Sequence, residues 1–455
     1  MNILHYALGF PPYRSGGLTK YCMDLMQAQH VAGNRVAMLW PGRMHLSSPR
    51  SRILEHRLVD GIGNLELVNP LPVPLDEGIA DVAAYTAPRE PEPFEAFFAC
   101  LAPDVLHVHT LMGLPVEALQ AAKRQGIRIV FSSHDFFGIC PRVTLFRDGH
   151  ACEDDDGCAR CAACNRGALS LAKIRLLQSP AYRLLKDAPW MRALRRRHRR
   201  GVHAPEIPQS LAVSTTKTAP CFQALRTYYM RMFALVDAFH FNSTLTRDVY
   251  RRYIDAPVGA VLPATHAGLR DHRRQKAFSD SLRIAYMGPC MPYKGFFALK
   301  AALDAAYAAG RRDFTLDVFA PCPAPSPYMR LRDAYRHADL PEIFGRVDLL
   351  VAPSQCYETF GLTVAEALSH AVPVLATEHV GAKDLLGDGA YGWVVPTDGL
   401  TRFFLQQWPG PDQLAARHAA ICEGYTVQTI EEHLAALLAP QNGLYYPAPT
   451  SARSC

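Results

Sequence analysis

The stretch Val351–Pro373 (VAPSQCYETFGLTVAEALSHAVP) places two carboxylates, Glu358 and Glu366, on either side of a glycine. An apolar run ends in Pro353-Ser354, a short loop carries Glu358-Thr359-Phe360-Gly361, and the pattern predicts a helix from Leu362. The first amides of such a helix have no acceptor within it, and a glycine lets a ligand come close to the backbone. Phe360, Gly361, Leu362 and Thr363 therefore form a segment suited to a diphosphate. Glu366, one turn in, is spaced to accept two ribose hydroxyl hydrogens, while Glu358 faces whatever is attached to the diphosphate. Two ordinary solvated acids are the plain alternative.

Other segments offer compatible chemistry. Met287-Gly288-Pro289-Cys290-Met291-Pro292-Tyr293-Lys294-Gly295 closes another apolar run, and a mobile ammonium such as Lys294 is a point-charge partner for phosphate oxygens. Gly16-Gly17, ahead of a helical pattern, exposes bare backbone to a ligand. His107 and His109 alternate along one strand face, and His134 ends the next strand in Ser132-Ser133-His134-Asp135.

Glu358-Thr359-Phe360-Gly361 with Glu366, followed by Ala371-Val372-Pro373-Val374 and Tyr391-Gly392-Trp393-Val394, resembles the retaining nucleotide-sugar glycosyltransferases of the GT-B fold, family 4 type. The resemblance extends over both halves of the chain and is strongest from Ile284 to Asp398. It implies that Glu366 binds the donor ribose, Glu358 the transferred sugar near its anomeric centre, and Lys294 the diphosphate beside Gly288. It implies further that Gly16 and Gly17 face the donor across a cleft, that His134 contacts the transferred sugar, and that His109 supports it. Glu358, His134 and Lys294 are thus the expected catalytic set, acting on a nucleoside diphosphate sugar with no cofactor required for catalysis. The acceptor expected is lipid-linked or a glycan of the cell surface. Many relatives carry arginine where this chain has Pro289. The interval Phe319–Leu349 also reads as one strand–helix repeat short, which keeps a catalytically impaired, membrane-associated GT-B scaffold as the rival expectation.

Cys140 opens a cysteine-rich stretch, and Cys158, Cys161 and Cys164 follow Cys152 in a C-x2-C-x2-C pattern. Clustered thiolates suit a structural zinc or an iron–sulfur cluster, with Cys152, Cys158, Cys161 and Cys164 as the ligand candidates and reduced free thiols as the alternative. Ten Lys and Arg face the single acid Asp187 between Lys173 and His203. The chain carries 48 basic and 42 acidic residues, so outside this block acids slightly outnumber bases. The basicity is local, with Trp190, Met191 and Leu194 among the arginines. That surface suits an anionic membrane, and no nucleic-acid recognition module accompanies it.

These groups need elements to hold them. Apolar runs at Ile3–Leu8, Val36–Trp40, Val105–His109, Ile129–Ser133 and Ala238–Asn242, then Ile284–Met287, Leu316–Phe319, Leu349–Pro353 and Val372–Ala376, alternate with amphipathic stretches such as Thr19–Ala32, Val116–Gln125, Phe297–Ala309 and Leu362–His370. Strands alternating with helices mean parallel sheets covered on both faces. The expected architecture is α/β: two doubly wound, Rossmann-like domains facing across a cleft. The first spans residues 1–266, with a Cys-rich and basic helical insertion at 136–231. The polar run Ala267–Ser281 links it to the second, 282–422. A helix in 423–440 returns to the first domain, and 441–455 reads as a flexible tail. The 455 residues, 49% hydrophobic, can build two such cores. The start, MNILHYALGF, reads as a buried strand, not an export signal, so the expected location is cytoplasmic, peripheral on the inner face of the membrane.

Overall fold

The computed structural model describes residues 1–447 apart from 15, 46–49, 75–77, 154–155, 166, 180–181, 183–187, 189–190, 192–218 and 323. Most of the basic block, with Trp190 and Leu194, lies outside the described residues, as does the tail from 448.

Among the described residues ten strands belong to the first domain: β1 (Asn2–Tyr6), β2 (Arg35–Pro41), β3 (Arg52–Val59), β4 (Ile62–Val68), β5 (Val105–Val108), β6 (Arg128–Ser132), β7 (Phe146–Arg147), β8 (His150–Ala151), β9 (Ala238–Phe241) and β10 (Gly259–Val261). Eight form one sheet in the order β10-β9-β6-β5-β1-β2-β4-β3. All its pairings are parallel except β3 with β4. The sequence pattern missed β3 and β4. β3 (RILEHRLV) is half exposed and interrupts its apolar positions with charge, as an edge strand tolerates. The β7–β8 hairpin lies inside the insertion.

The second domain adds β11 (Leu282–Tyr286), β12 (Phe314–Val318), β13 (Met329–Leu331), β14 (Leu349–Ala352), β15 (Val374–Thr377) and β16 (Gly392–Val395). They form a wholly parallel sheet, β13-β12-β11-β14-β15-β16. The interval Phe319–Leu349, expected to lack a strand–helix repeat, contains β13 and the helix Leu340–Arg346, so the repeat is present in shortened form. Central strands such as β5 (VLHV) and β15 (VLAT) are buried at every position, as helices on both faces require. The helix Phe296–Ala308 (FFALKAALDAAYA) shows why: alanines favour the helix, while Phe296, Leu299 and Leu303 supply its buried face.

Among the parallel strands, the order of each sheet reverses once. In the first sheet β1 lies between β5 and β2, and in the second β11 lies between β12 and β14. At such a reversal the loops leaving neighbouring strands diverge and open a crevice. The loops after β1 and β5 carry Gly16-Gly17 and His109, and those after β11 and β14 carry Lys294 and Glu358.

The helix Ile430–Leu438, with Thr429 and Glu432 forming a capping box, packs on the first-domain helix Gly17–Val31. Tyr21 Oη and His433 Nε2 meet there at 2.7 Å. The flexible tail expected from 441 needs correction over 441–447. Leu444 and Tyr445 are buried, and Arg128 donates to the carbonyls of Gly443 and Leu444. The apolar pair inside a Pro- and Ser-rich stretch is the reason: it fills the first domain's core edge. Among the described residues no helix is long and apolar enough to cross a membrane.

Candidate active site

Gly295 stands at φ 74 at the start of the helix Phe296–Ala308, and a Cβ there would meet the Pro353 carbonyl oxygen at 1.7 Å. Only glycine lets the loop after β11 lie this close to the end of β14. The Tyr293 carbonyl then accepts the backbone amides of Gln355 and Cys356. This clamp brings Lys294 Nζ to 3.0 Å from Glu358 Oε1, with both side chains about a quarter exposed. Burial opposes the ammonium charge, but Glu358 and Cys356 outweigh it and raise the Lys294 pKa above its ordinary value. Lys294 is therefore held fully charged. Gly288 packs against the Tyr286 ring, whose hydroxyl donates to the Pro289 carbonyl.

Glu358 is tied to the loop after β15, its amide donating to His379 O and its carbonyl accepting from Gly381 N. Phe360 is buried, and Gly361, at φ 107, begins the helix Leu362–Ser369. Leu362 and Thr363 are partly exposed at that start. Gly16 (φ 112) precedes the helix Gly17–Val31, and a Cβ on Gly17 would reach Leu362 Cδ1 at 3.4 Å. The two glycine loops thus meet across the cleft.

Glu366 is nearly inaccessible and held by histidines that the sequence did not single out. The Gly268 amide donates to His266 Nδ1 at 3.1 Å, so the ring hydrogen sits on Nε2, which donates to Glu366 Oε1 at 3.0 Å. His337 Nδ1 approaches the same oxygen at 3.2 Å. Burial favours the protonated Glu366, but these two hydrogen bonds more than reverse it and hold its pKa at about 2. The hydrogen bond to Glu366 in turn raises His337 above its ordinary value, against burial. Among the described residues Glu366 Oε2 makes no hydrogen bond. One oxygen is anchored and the other remains available. No local pattern flags His266 or His337, because they reach Glu366 from the interdomain link and from a short helical turn before Leu340.

The first domain grips the same loop. Ser243 and Thr246 hydroxyls donate to the Thr359 carbonyl at 2.9 and 2.7 Å, and Thr359 Oγ1 donates to the His134 carbonyl at 3.1 Å. Ser243 also caps the helix Thr244–Tyr250 by accepting from Thr246 N, the one signal in Ser-x-x-Thr that sequence reasoning passed over. His134 thus stands beside Glu358-Thr359, with its ring nitrogens engaged by Asn242 and His109.

Asn242 Nδ2 donates to His134 Nδ1 at 3.2 Å, His134 Nε2 to His109 Nδ1 at 3.3 Å, and His109 Nε2 to His5 Nδ1 at 2.8 Å. His5 Nε2 donates to Gln29 Oε1, Gln29 Nε2 to the Tyr445 hydroxyl, and that hydroxyl to His107 Nδ1. His107 Nε2 donates to Ser132 Oγ, Ser132 to His240 Nδ1, and His240 Nε2 to the Leu262 carbonyl. The amide at one end only donates and the carbonyl at the other only accepts, so every tautomer follows. Burial lowers His5 and His240 to about 4 and His134 to about 3, and holds His107 and His109 well below their ordinary value. All five rings are neutral. His5, His107 and His109 bring ligand atoms within 4.8 Å of one another, but their nitrogens already serve this chain. His109 supports His134 directly.

Of the cysteines, Cys161 and Cys164 end a one-turn helix, Cys152 follows β8, and Cys158 is buried next to Cys161. They are free of disulfides.

Residues 283–406 match the family model described as Glycosyl transferases group 1. The second domain is a group 1 glycosyltransferase domain. The chain as a whole has the GT-B fold, and the transferase aligns with solved structures over nearly its full length. Sucrose-phosphate synthase from Thermosynechococcus elongatus is 14% identical with a TM-score of 0.53, covering 96% of this chain and 98% of that one. HepE from Anabaena, in a complex with UDP and glucose, is 13% identical with a TM-score of 0.52 over 96% and 99%. A glycosyltransferase from Rickettsia africae ESF-5 is 11% identical with a TM-score of 0.55 over 96% of each chain. No curated protein sequence matches the transferase.

Proposed function

We propose that the transferase is a retaining enzyme that moves a sugar from a nucleoside diphosphate sugar to a hydroxyl of a lipid-linked or glycan acceptor, in cell-surface polysaccharide or glycolipid synthesis. The observation that carries the donor half is the Lys294–Glu358 pair at 3.0 Å, set at the second sheet's reversal beside the start of the helix Leu362–Ser369. The structure of HepE with UDP and glucose supports uridine diphosphate sugars as the first donors to try.

In this reading the bond from the anomeric carbon to the diphosphate oxygen breaks with its electron pair on the diphosphate. Lys294 and the amides at Gly361–Thr363 stabilise that charge as it develops, which is where electrostatic catalysis acts. Glu358 faces the electron-poor sugar, and Glu366 Oε2 takes a ribose hydroxyl. The acceptor oxygen forms the new bond, and its proton passes to the departing phosphate in a front-face path. Side chains and helix amides neutralise the diphosphate, so the reading includes no cofactor. Its acceptor half rests on the basic run Lys173–His203, whose charge suits the inner face of an anionic membrane.

Thermal shift with nucleoside diphosphates and their sugars tests donor binding, because a ligand of the native state raises the midpoint. Lys294→Ala should then lower donor turnover by about 100-fold or more. Wild-type turnover in that variant would put the diphosphate elsewhere.

A further inference from the structure

Four of the insertion's thiols share one cavity. Cys140, Cys152, Cys161 and Cys164 line it together with Arg142, Arg147, Arg160 and Arg226. Cys158 instead lines a neighbouring apolar cavity with Phe137, Ile139 and Phe222, and hydrogen-bonds to Cys161. The structure thus sorts five cysteines differently from their spacing: Cys140 joins the group and Cys158 leaves it.

Burial pushes the Cys140 thiol up, and the backbone around it works against that. In Cys140-Pro141-Arg142 the chain turns so that the amides of Arg142 and Leu145 both hydrogen-bond to the Cys140 sulfur. Amides aimed at a sulfur favour negative charge on it, and guanidinium groups around the same cavity do likewise. A tetrathiolate around a divalent ion carries a net charge of −2, which a ring of arginines can balance. Among the described residues, acids, the ligands of harder ions, do not line the cavity.

We propose that Cys140, Cys152, Cys161 and Cys164 bind one tetrahedral zinc ion, with Cys158 as a hydrogen-bond partner of Cys161 and not a ligand. Four thiol protons leave to solvent as four zinc–sulfur bonds form. Among the described residues the two groups that bring three potential ligand atoms within 4.8 Å of one another contain no cysteine, so the thiols must draw together across the cavity they line to hold the ion. Zinc, indifferent to redox state and satisfied by four sulfurs, suits a closed structural site.

The position gives the ion a task. Cys140 lies in the segment that follows His134, Phe136 and Phe137 are buried between them, and Phe146 of the β7–β8 hairpin touches the ring of Tyr293, next to Lys294. The ion ties the loop leaving β6 to the hairpin that abuts the Lys294 loop.

The test is elemental analysis of freshly purified full-length protein, with serine replacing one cysteine at a time. About one zinc per chain is expected, lost in Cys140→Ser and Cys164→Ser but kept in Cys158→Ser and in Cys100→Ser, an exposed cysteine outside the cluster. Because a ligand variant can fail to fold, cobalt exchange into the wild type gives a second readout. Thiolate-to-cobalt charge transfer with tetrahedral visible bands is expected. Metal-free protein that also gives no thiolate–cobalt bands overturns the site. Iron with sulfide and a visible cluster spectrum overturns zinc, and loss of zinc in Cys158→Ser with retention in Cys164→Ser overturns the ligand set.

Discussion

At the residue scale the two carboxylates divide the work, and their surroundings say how. Glu366 is anchored through Oε1 while Glu358 meets Lys294. Glu366→Ala is expected to weaken nucleoside diphosphate binding, whereas Glu358→Gln should mainly lower turnover; equal losses of donor affinity would refute the division. His337 adds a pH dependence. A ribose hydroxyl that donates to Glu366 Oε2 draws charge from the carboxylate and weakens its hold on His337 at Oε1, whose raised pKa then falls back toward about 6.5. Binding releases that proton wherever the free protein holds it. Affinity for a nucleoside diphosphate sugar should therefore rise with pH above about 6.5 and level off beyond the raised value. Calorimetry across pH checks this, and His337→Ala should flatten the curve. Residues placed by local spacing, such as Glu358, Gly361 and Lys294, were legible in the sequence. His266 and His337 were not, since only the tertiary fold brings them to Glu366.

At the scale of elements, the parallel strands and their helices could be read from apolar runs, while edges and ends could not. β3 is half exposed, and β13 is three residues long, so neither leaves a period strong enough to notice. The C-terminal segment was misread because its composition is that of a loop, although Leu444 and Tyr445 fill a core position. Leu444→Ala should cost about 2–5 kcal/mol, as a fully buried leucine does. Tyr445→Phe should cost about 1–3 kcal/mol by leaving the Gln29 amide and His107 Nδ1 without their partner. Chemical denaturation of both variants, read against wild type, measures this. Unchanged midpoints would mean that the segment only rests on the surface.

On the scale of the whole molecule, charge and fold are distributed differently. The bases of Lys173–His203 are concentrated while the remainder is slightly acidic. Changing Arg195, Arg196, Arg197, Arg199 and Arg200 to Gln should remove about 1 kcal/mol of membrane attraction each and leave donor affinity intact. Flotation with anionic and neutral liposomes at low and high salt tests it; no flotation of the wild type would dismiss the membrane reading. The two-domain plan was legible because βαβ rhythm is a long-range pattern. The bonds from Ser243 and Thr246 to Thr359 that join the domains at the site were not, for they pair residues more than a hundred positions apart. The histidine chain that runs through the first domain has a consequence of this global kind. Its polarity is pinned by an amide at one terminus and a carbonyl at the other, so no ring can exchange its hydrogen between nitrogens alone. To turn one around, all must reverse together against both pins. His134 therefore reaches the cleft as a fixed dipole and not as a proton carrier, and the enzyme's pH profile should show no limb from these buried imidazoles.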